Sequence, residues 1–219
     1  MTARSKPSVL VGALVLVAVL IAAGVVGVGR FVEPRRLAEA RALYERGAYA
    51  QAERVLREVL ALDRNDPSAL EQLADVLGAK GDPKGALALY AKVLASKPRD
   101  TSLLLKTASL ERLTGDPRTA AEHYQRACEI DPSNARAKDD LARTLLQLGR
   151  TDEALGLWDA LAKDERLTTV ERERYLITGA VTCLDFGRRK EAEAKLREAL
   201  SLVPGDPQAR ALLKKAAGS

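Results

Sequence analysis

The chain has few of the residues on which most enzyme and metal sites depend. Its 219 residues include one histidine and two cysteines, and aromatic residues make up only 4%. Most metal sites, disulfide scaffolds and His-based catalytic sites need more of these side chains than the chain contains. Hydrophobic residues at 47% and charged residues at 30%, with abundant Ala, Leu, Glu and Arg, are instead typical of a helical protein.

The net charge of +5 does not favour nucleic-acid binding. Five basic residues and one acidic residue lie within residues 1–36, so the rest of the chain carries only +1. A nucleic-acid-binding domain normally presents a strongly basic face. The sequence therefore predicts no nucleic-acid partner.

An uncharged run of 21 residues occupies positions 9–29. As an α-helix it would extend about 31 Å, which matches the hydrocarbon core of a bilayer. Basic residues flank the run at both ends. We expect a basic tail at 1–8, a single transmembrane helix at 9–29 and a juxtamembrane linker at 30–36. The alternative is a cleaved signal peptide, although its apolar region is usually shorter, at 7–15 residues.

Two signals disagree on which side of the membrane the domain lies. A short basic N-terminal tail favours export of the C-terminal domain, whereas the arginines that follow the run favour the opposite orientation. We expect the domain on the extracytoplasmic side.

A repeat fills the remaining sequence. Five glycines are separated by 34, 34, 34 and 38 residues, with an alanine five residues and a large apolar residue nine residues after each. These glycines are Gly47, Gly81, Gly115, Gly149 and Gly187. A fixed period of this length is typical of a solenoid built from repeated helix pairs.

One unit, residues 67–98, illustrates the physics of the repeat. Asp66 before Pro67 is a helix-start signal, since the carboxylate caps the helix and the proline needs no N–H partner. Apolar residues then recur at i, i+3, i+4 and i+7, which predicts one apolar helix face. Gly81 can adopt the left-handed conformation that ends the first helix, and Pro98 blocks continuation of the second.

These residues resemble the tetratricopeptide repeat (TPR) family. The second unit matches the family pattern at Leu70, Leu73, Ala74, Leu77, Gly81, Ala86, Tyr90 and Pro98. The resemblance implies an all-α fold: a right-handed TPR α-solenoid of about five helix pairs over 33–206, following the transmembrane helix, with a capping helix and tail at 207–219. The expected units start near 33, 67, 101, 135 and 173. Four extra residues within 163–170 are expected to lengthen a loop or a helix.

No group of residues predicts catalysis. His123 has no partner cysteine or histidine nearby in sequence and is expected to be structural. Cys128 and Cys183 occupy apolar positions of their helices and are expected to be buried, unbridged side chains. Four carboxylates near the insertion are expected to be solvated: Asp164, Glu165, Glu171 and Glu173. The sequence thus predicts a protein that is not an enzyme and needs no cofactor or metal.

The resemblance places the binding surface in a concave groove lined by the first helix of each unit. It implies that this groove accepts a helix or an extended segment of another protein. The corresponding residues are Leu37, Arg41, Tyr44, Glu71, Asp75, Leu105, Ser109, Arg112, Asp139, Arg143, Leu146, Ile177, Val181 and Leu184.

The expected groove differs along its length. Glu71, Asp75 and Ser109 replace the basic and amide residues with which chaperone-binding relatives clamp a C-terminal carboxylate, so chaperone-tail binding is not expected. The groove should be acidic near the second unit and apolar near the fifth. There, Ile177, Val181 and Leu184 either form an exposed anchor site or lie under the capping helix.

The resemblance implies a membrane-anchored adaptor or assembly factor for an envelope or membrane complex. Two alternatives remain open at this point. The chain is a structural, homo-oligomeric subunit of a membrane machine, or, if the N-terminal segment is cleaved, a secreted soluble TPR chaperone.

Overall fold

The computed structural model describes residues 34–218, and every regular element in this range is a helix. The described residues form five consecutive helix pairs and a final single helix, as expected from the repeat. The helices are α1 (34–45), α2 (Tyr49–Leu62), α3 (Pro67–Ala79), α4 (Pro83–Ser96), α5 (Thr101–Leu113), α6 (Pro117–Ile130), α7 (Ala135–Gln147), α8 (Thr151–Ala162), α9 (Thr169–Asp185), α10 (Arg189–Leu202) and α11 (Pro207–Ala217).

The expected transmembrane helix at 9–29 lies outside the described residues. Between residues 34 and 218, no helix combines the length and the apolar composition needed to cross a bilayer.

Local chemistry sets the helix boundaries where the sequence predicts them. The Asp66 carboxylate accepts a hydrogen bond of 2.6 Å from the backbone N–H of Ala69 and so caps α3. The same type of cap, an Asp or Asn side chain, begins α5, α6, α7 and α11. The five repeat glycines all have positive φ, between +72° and +89°, in the turn within each pair. A side chain at these positions would strain the backbone, which explains the strict recurrence of glycine.

The chain divides into two compact units, which are described separately. In unit 1, which ends at Ser96, α1 to α4 enclose a core of small and branched side chains. Among its buried residues are Ala40, Ala52, Leu56, Val59, Leu73 and Val76. Each helix packs mainly on its neighbours in sequence, so neither member of a pair buries its apolar face alone.

Unit 2 begins at Lys97 and contains α5 to α11. Its core is continuous from α5 to α11 and is centred on two large rings, Tyr124 of α6 and Trp158 of α8, which are 0% and 1% exposed. Small residues surround the rings and allow the helices to pack closely; fully buried examples are Ala108, Ala120, Ala142, Ala154, Ala180 and Ala192.

The four extra residues of the fifth unit lengthen its first helix. α9 has 17 residues, whereas α3, α5 and α7 have 13 each. It begins at Thr169, four residues before position 173. Thr168 and Glu171 form a reciprocal capping box, in which each side chain accepts a backbone N–H of the other residue. The box stabilises a helix start one turn earlier than in the other units.

The expectation of solvated carboxylates near the insertion is wrong for Glu173. The added turn places Glu173 inside α9 rather than at its start, and the side chain is only 5% exposed. One of its carboxylate oxygens, Oε1, has no hydrogen-bond partner among residues 34–218. Burial, and to a lesser degree the nearby Asp206 carboxylate, raises the pKa of Glu173.

The two cysteines are free thiols and differ in burial. Cys183 is fully buried, as expected, whereas Cys128 is only half-buried. The neighbouring Ala127 occupies the fully buried position of this turn, which turns Cys128 towards the edge of the core. The expectation for Cys128 was therefore only partly correct. Burial raises the pKa of both thiols.

Candidate functional site

The candidate groove residues of unit 2 form three parallel stripes, one on each first helix. On α5, α7 and α9 they follow the spacing i, i+4, i+7, which places three side chains on the same face of a helix. We call this set the first-helix face of unit 2. It comprises Leu105, Ser109 and Arg112 on α5, Asp139, Arg143 and Leu146 on α7, and Ile177, Val181 and Leu184 on α9.

The leucine and valine residues of this face are partly covered. Leu105, Leu146, Val181 and Leu184 are half-buried and pack against the core of unit 2. Because each side chain is anchored on one side and accessible on the other, these residues form shallow apolar positions on which a partner's side chains could pack.

Ile177 differs from its two neighbours on α9. It is only 9% exposed and belongs to the buried core of unit 2. Of the two alternatives left by the sequence, an exposed anchor is therefore wrong for Ile177. Val181 and Leu184 retain accessible surface.

Asp139 is held by two hydrogen bonds. The indole N–H of Trp158 donates to Oδ1 of Asp139 at 2.8 Å, and Nε of Arg143 donates to Oδ2 at 3.2 Å. The Trp158 ring is buried, whereas Arg143 is exposed. This arrangement satisfies a buried donor, neutralises the carboxylate and fixes the centre of the α7 stripe.

Arg112 and Tyr124 lie together at the α5 side of the face, and one buried polar atom of each side chain lacks a well-aligned hydrogen-bond partner. The Tyr124 hydroxyl and Nε of Arg112 are both buried and have no hydrogen-bond partner within residues 34–218. Burial raises the pKa of Tyr124, and the nearby Arg112 and Ser109 side chains partly oppose this effect.

The Asp140 carboxylate interacts electrostatically with both Arg112 and Tyr124. Burial is the main reason that the pKa of Asp140 is raised, and the neighbouring Asp139 adds to the effect. Arg136, Arg112 and Arg143 oppose it. Arg136 makes the direct contact, with Nε 3.6 Å from Oδ2 of Asp140.

In unit 1, three of the five candidate residues interact with the Tyr90 hydroxyl. This hydroxyl donates a hydrogen bond to Oδ1 of Asp75, and the Glu71 and Tyr44 side chains act on it electrostatically. Burial and the Asp75 carboxylate both raise the pKa of Tyr90. Of the other two candidates, Arg41 is exposed and forms an ion pair with Glu45 at 3.1 Å, and Leu37 is half-buried against the core of unit 1.

The single histidine belongs to a structural contact. Nδ1 of His123 lies 2.8 Å from Oε2 of Glu111, and both side chains are more than four-fifths buried. The contact links α5 to α6. The described residues contain no group of three or more His, Cys, Asp and Glu residues that could hold a metal ion.

Sequence reasoning missed the part that the second helices take in the site. Tyr90, Tyr124 and Trp158 are three of the large residues nine positions after the repeat glycines, which the pattern treats as apolar, yet each brings a polar atom to the side chains of a first helix. The available signal was the hydroxyl or N–H of these rings, because a buried Tyr or Trp usually finds a partner for it.

Paired helices with glycine turns and a repeat of 34 residues define a class of stacked helix-turn-helix repeat proteins. Models described as tetratricopeptide repeat match residues 37–101, 71–135 and 112–169. Together these matches span residues 37–169, which is more than half of the chain. The chain therefore belongs to the tetratricopeptide repeat family.

Curated relatives match the chain over a small part of their own length. Cellulose synthase operon protein C of Pseudomonas fluorescens is 30% identical over 156 residues, covering 68% of this chain and 12% of the relative. The protein of the same name from Xanthomonas axonopodis is 28% identical over 170 residues, covering 72% and 11%. The chain thus spans about a tenth of the length of these relatives.

Solved structures share the fold. A tetratricopeptide repeat protein from Parabacteroides merdae has a TM-score of 0.69 at 19% identity, covering 84% of this chain and 73% of its own. MamA from Desulfovibrio magneticus has a TM-score of 0.66 at 18% identity, with 80% and 96% covered. YrrB, described as a TPR protein with an unusual peptide-binding site, has a TM-score of 0.65 at 21% identity, with 82% and 90% covered.

Proposed function

We propose that this chain is a membrane-anchored scaffold that holds a segment of another protein on the first-helix face of unit 2. The observation that carries the proposal is the composition of this face. Half-buried apolar side chains alternate with fixed polar ones, which is the arrangement of a protein-binding surface with apolar anchors and orienting hydrogen bonds. The peptide-binding site named for YrrB is consistent with this role.

Membrane anchoring is a separate part of the proposal. It rests on the uncharged run at 9–29, whose length fits a bilayer-spanning helix. We place the helical units on the extracytoplasmic side, where they would help to assemble an envelope or membrane complex. Digestion of intact cells with an added protease tests this placement. Degradation of residues 34–218 is expected, and full protection would reverse the orientation.

Cross-linking from the face tests the scaffold role. A photoreactive amino acid replaces Leu105 in the full chain, expressed in its native membrane, and the cross-linked protein is identified by mass spectrometry. The same residue at Val170, which is 66% exposed and lies outside the face, serves as the control. We expect one partner to be cross-linked from position 105 and not from position 170.

Charge substitution on the face gives the second arm. Leu105→Glu combined with Val181→Glu places two carboxylates at half-buried apolar positions and should abolish recovery of the cross-linked partner when the photoreactive residue is placed at Leu146. The helical circular dichroism signal and the recovery from Val170→Glu should be unchanged. Undiminished recovery from the double variant would show that this face does not bind the partner.

A structural, homo-oligomeric subunit is the second candidate. The small residues and glycines of the apolar run at 9–29 would allow close approach of two such helices. The mass of the detergent-solubilised protein distinguishes the two functions, since a fixed homo-oligomer without another protein favours the structural role. The mass of the mature chain also reveals cleavage, in which case the protein is a secreted soluble chaperone.

A further inference from the structure

The second helices of unit 2 are separated by two corresponding spaces, which differ in their side chains. Helices α6 and α8 both pack on α7, and helices α8 and α10 both pack on α9. Residues of α6, α7 and the start of α8 line a groove of about 790 Å³, which we call the α6–α8 groove. A volume of this size is typical of ligand sites in proteins.

The chain itself bridges the corresponding space between α8 and α10. Arg188, at the start of α10, donates a hydrogen bond to the Asp152 carboxylate at the start of α8. Lys195, within α10, donates to the Asp159 carboxylate of α8. Two charge-assisted contacts therefore join the two second helices, and each of these α8 carboxylates has a cation as its partner.

The α6–α8 groove has no such bridge. Counted from the repeat glycines, Arg118 takes the position of Asp152, and Arg150 takes that of Arg188. No ion pair or side-chain hydrogen bond joins α6 to α8 within residues 34–218. Arg150 instead donates two hydrogen bonds of 2.6 Å to Glu153 on its own helix. Two guanidinium groups thus lie where the neighbouring space has a guanidinium and a carboxylate.

Apolar side chains form the floor of the α6–α8 groove. Leu141 and Leu145 of α7 are buried, and Leu148 at the end of this helix is half-buried. Consecutive helices joined by short turns run antiparallel, so the start of α6, the end of α7 and the start of α8 lie at the same end of the groove. Arg118 and Arg150 are therefore at the Leu148 end.

A third arginine lines the other end of the groove. Arg126 lies eight residues after Arg118 on α6, about 12 Å along the helix axis. Its guanidinium donates to the carbonyl oxygen of Pro98 at 3.1 Å and forms no ion pair within residues 34–218. Glu122 lines the groove midway between these two arginines and disfavours an anion there. The groove therefore favours negative charge at its two ends and an apolar group between them.

The dimensions of the groove indicate the conformation of a segment that fits it. In an extended peptide, residues i, i+2 and i+4 point to the same side, and four residues advance about 13 Å. This length matches the separation of the two arginine ends. An α-helix of the same length is about 10–12 Å across and occupies about 1,000 Å³, which is more than the volume of the groove.

We propose that the α6–α8 groove binds an extended segment of a partner protein that carries two acidic residues four positions apart and an apolar residue midway between them. The first carboxylate takes the place that Asp152 has in the neighbouring space and pairs with Arg118 and Arg150. The second pairs with Arg126, and the apolar side chain packs on the leucine floor. Because this groove is separate from the first-helix face of unit 2, the inference does not rest on the proposed function.

A library of random nine-residue peptides displayed on phage is the probe. Detergent-solubilised full chain carrying Arg118→Asp first removes the peptides that bind elsewhere, and the remainder is selected on the original full chain. Enriched peptides should contain two acidic residues four positions apart and an apolar residue between them. The strongest binder is synthesised with a fluorescent label, and fluorescence anisotropy measures its affinity. Arg118→Gln should weaken binding at least tenfold, as should replacing both acidic residues of the peptide by their amides.

Arg118→Asp should abolish binding, because it supplies the carboxylate that Arg150 lacks across the groove. An aspartate near the start of α6 is also favourable for the helix dipole, so the helical signal and the thermal midpoint should not fall. Arg136→Gln is the matched control, since it is a neutralising substitution on an α7 side chain that is 80% exposed and does not line the groove. It should leave the affinity unchanged.

The two binding surfaces are tested independently. The double variant Leu105→Glu and Val181→Glu should bind the labelled peptide as tightly as the original chain, and Arg118→Gln should leave cross-linking from position 105 unchanged. The inference is overturned if no peptide is enriched, if enriched peptides lack the acidic pair, or if Arg118→Gln binds as tightly as the original chain. The scaffold role of the first-helix face stands or fails on its own cross-linking result.

Discussion

The third and fourth helix pairs use the same repeat position differently. In the fourth pair, α7–α8, the Trp158 ring fills the space between the helices and donates its N–H to Asp139. In the third pair, α5–α6, Tyr124 fills the equivalent space with equal burial, but its hydroxyl has no partner within the described residues. The repeat position thus requires a large ring in both pairs. Whether the polar atom of that ring forms a hydrogen bond depends on the side chains of the individual pair. The fourth pair satisfies the polar atom of its ring, whereas the third buries a hydroxyl without a partner among the described residues.

The largest expected effect comes from removing the satisfied contact. Trp158→Phe deletes the N–H that Asp139 accepts and leaves unfilled space in the core of unit 2. Loss of a hydrogen bond to a charged group, together with the cavity, should lower the free energy of unfolding by about 2–4 kcal/mol. Urea unfolding of the full chain in detergent measures this change. Circular dichroism is the appropriate signal, because Trp158 is the only tryptophan.

Asp139→Asn is the control for this prediction. It keeps the ring and an oxygen that can accept the indole N–H, so the loss should be clearly smaller than for Trp158→Phe. If Trp158→Phe lowers the free energy of unfolding by less than about 0.5 kcal/mol, the hydrogen bond between Trp158 and Asp139 does not make the fourth pair more stable than the third.

The unsatisfied ring should respond in the opposite direction. Tyr124→Phe removes a buried hydroxyl that has no partner and keeps the packing of the ring. We expect the free energy of unfolding to be unchanged or to rise by up to about 1 kcal/mol. Tyr90→Phe, at the same repeat position in unit 1, removes a hydroxyl that donates to Asp75 and should instead lower it by about 1–2 kcal/mol. Equal losses from both substitutions would show that the Tyr124 hydroxyl is satisfied in solution.

Local signals in the sequence predicted most of the described fold. Asp66, Pro67 and Gly81 act on the backbone within a few residues, so their spacing was sufficient to place helix starts and ends. The long first helix α9 was only half predicted, because four inserted residues fit a loop or a helix equally well. The capping box of Thr168 and Glu171 decided between them.

The site depended on contacts that no local pattern contains. The family resemblance predicted the three stripes of the face, but the burial of Ile177 and Glu173 depends on how neighbouring helices pack against α9. Likewise, the difference between Trp158 and Tyr124 depends on which polar side chain a different helix offers to the ring. Such pairings are set by tertiary packing, and the repeat pattern does not encode them.

The smallest expected effect is a pH dependence that distinguishes a carboxylate whose charge burial disfavours, Asp140, from one whose charge an arginine stabilises, Asp164. Burial raises the folded-state pKa of Asp140, so the native state binds its proton more tightly than the unfolded state does. At neutral pH the buried, charged Asp140 carboxylate therefore lowers the free energy of unfolding. This loss disappears as the pH falls through the raised pKa and the carboxylate binds its proton. The free energy of unfolding of the original chain, relative to that of Asp140→Asn, should therefore increase as the pH falls from 7 to 3.

Asp164 provides the opposite case, because hydrogen bonds from Arg166 lower its pKa to about 2. Its contribution is present above the usual value of 3.8 and is lost as the pH falls towards 2, so the difference from Asp164→Asn should decrease. Urea unfolding at pH 7, 5 and 3 measures both differences, and a common sign would mean that Asp140 is better solvated than its packing against the third pair implies.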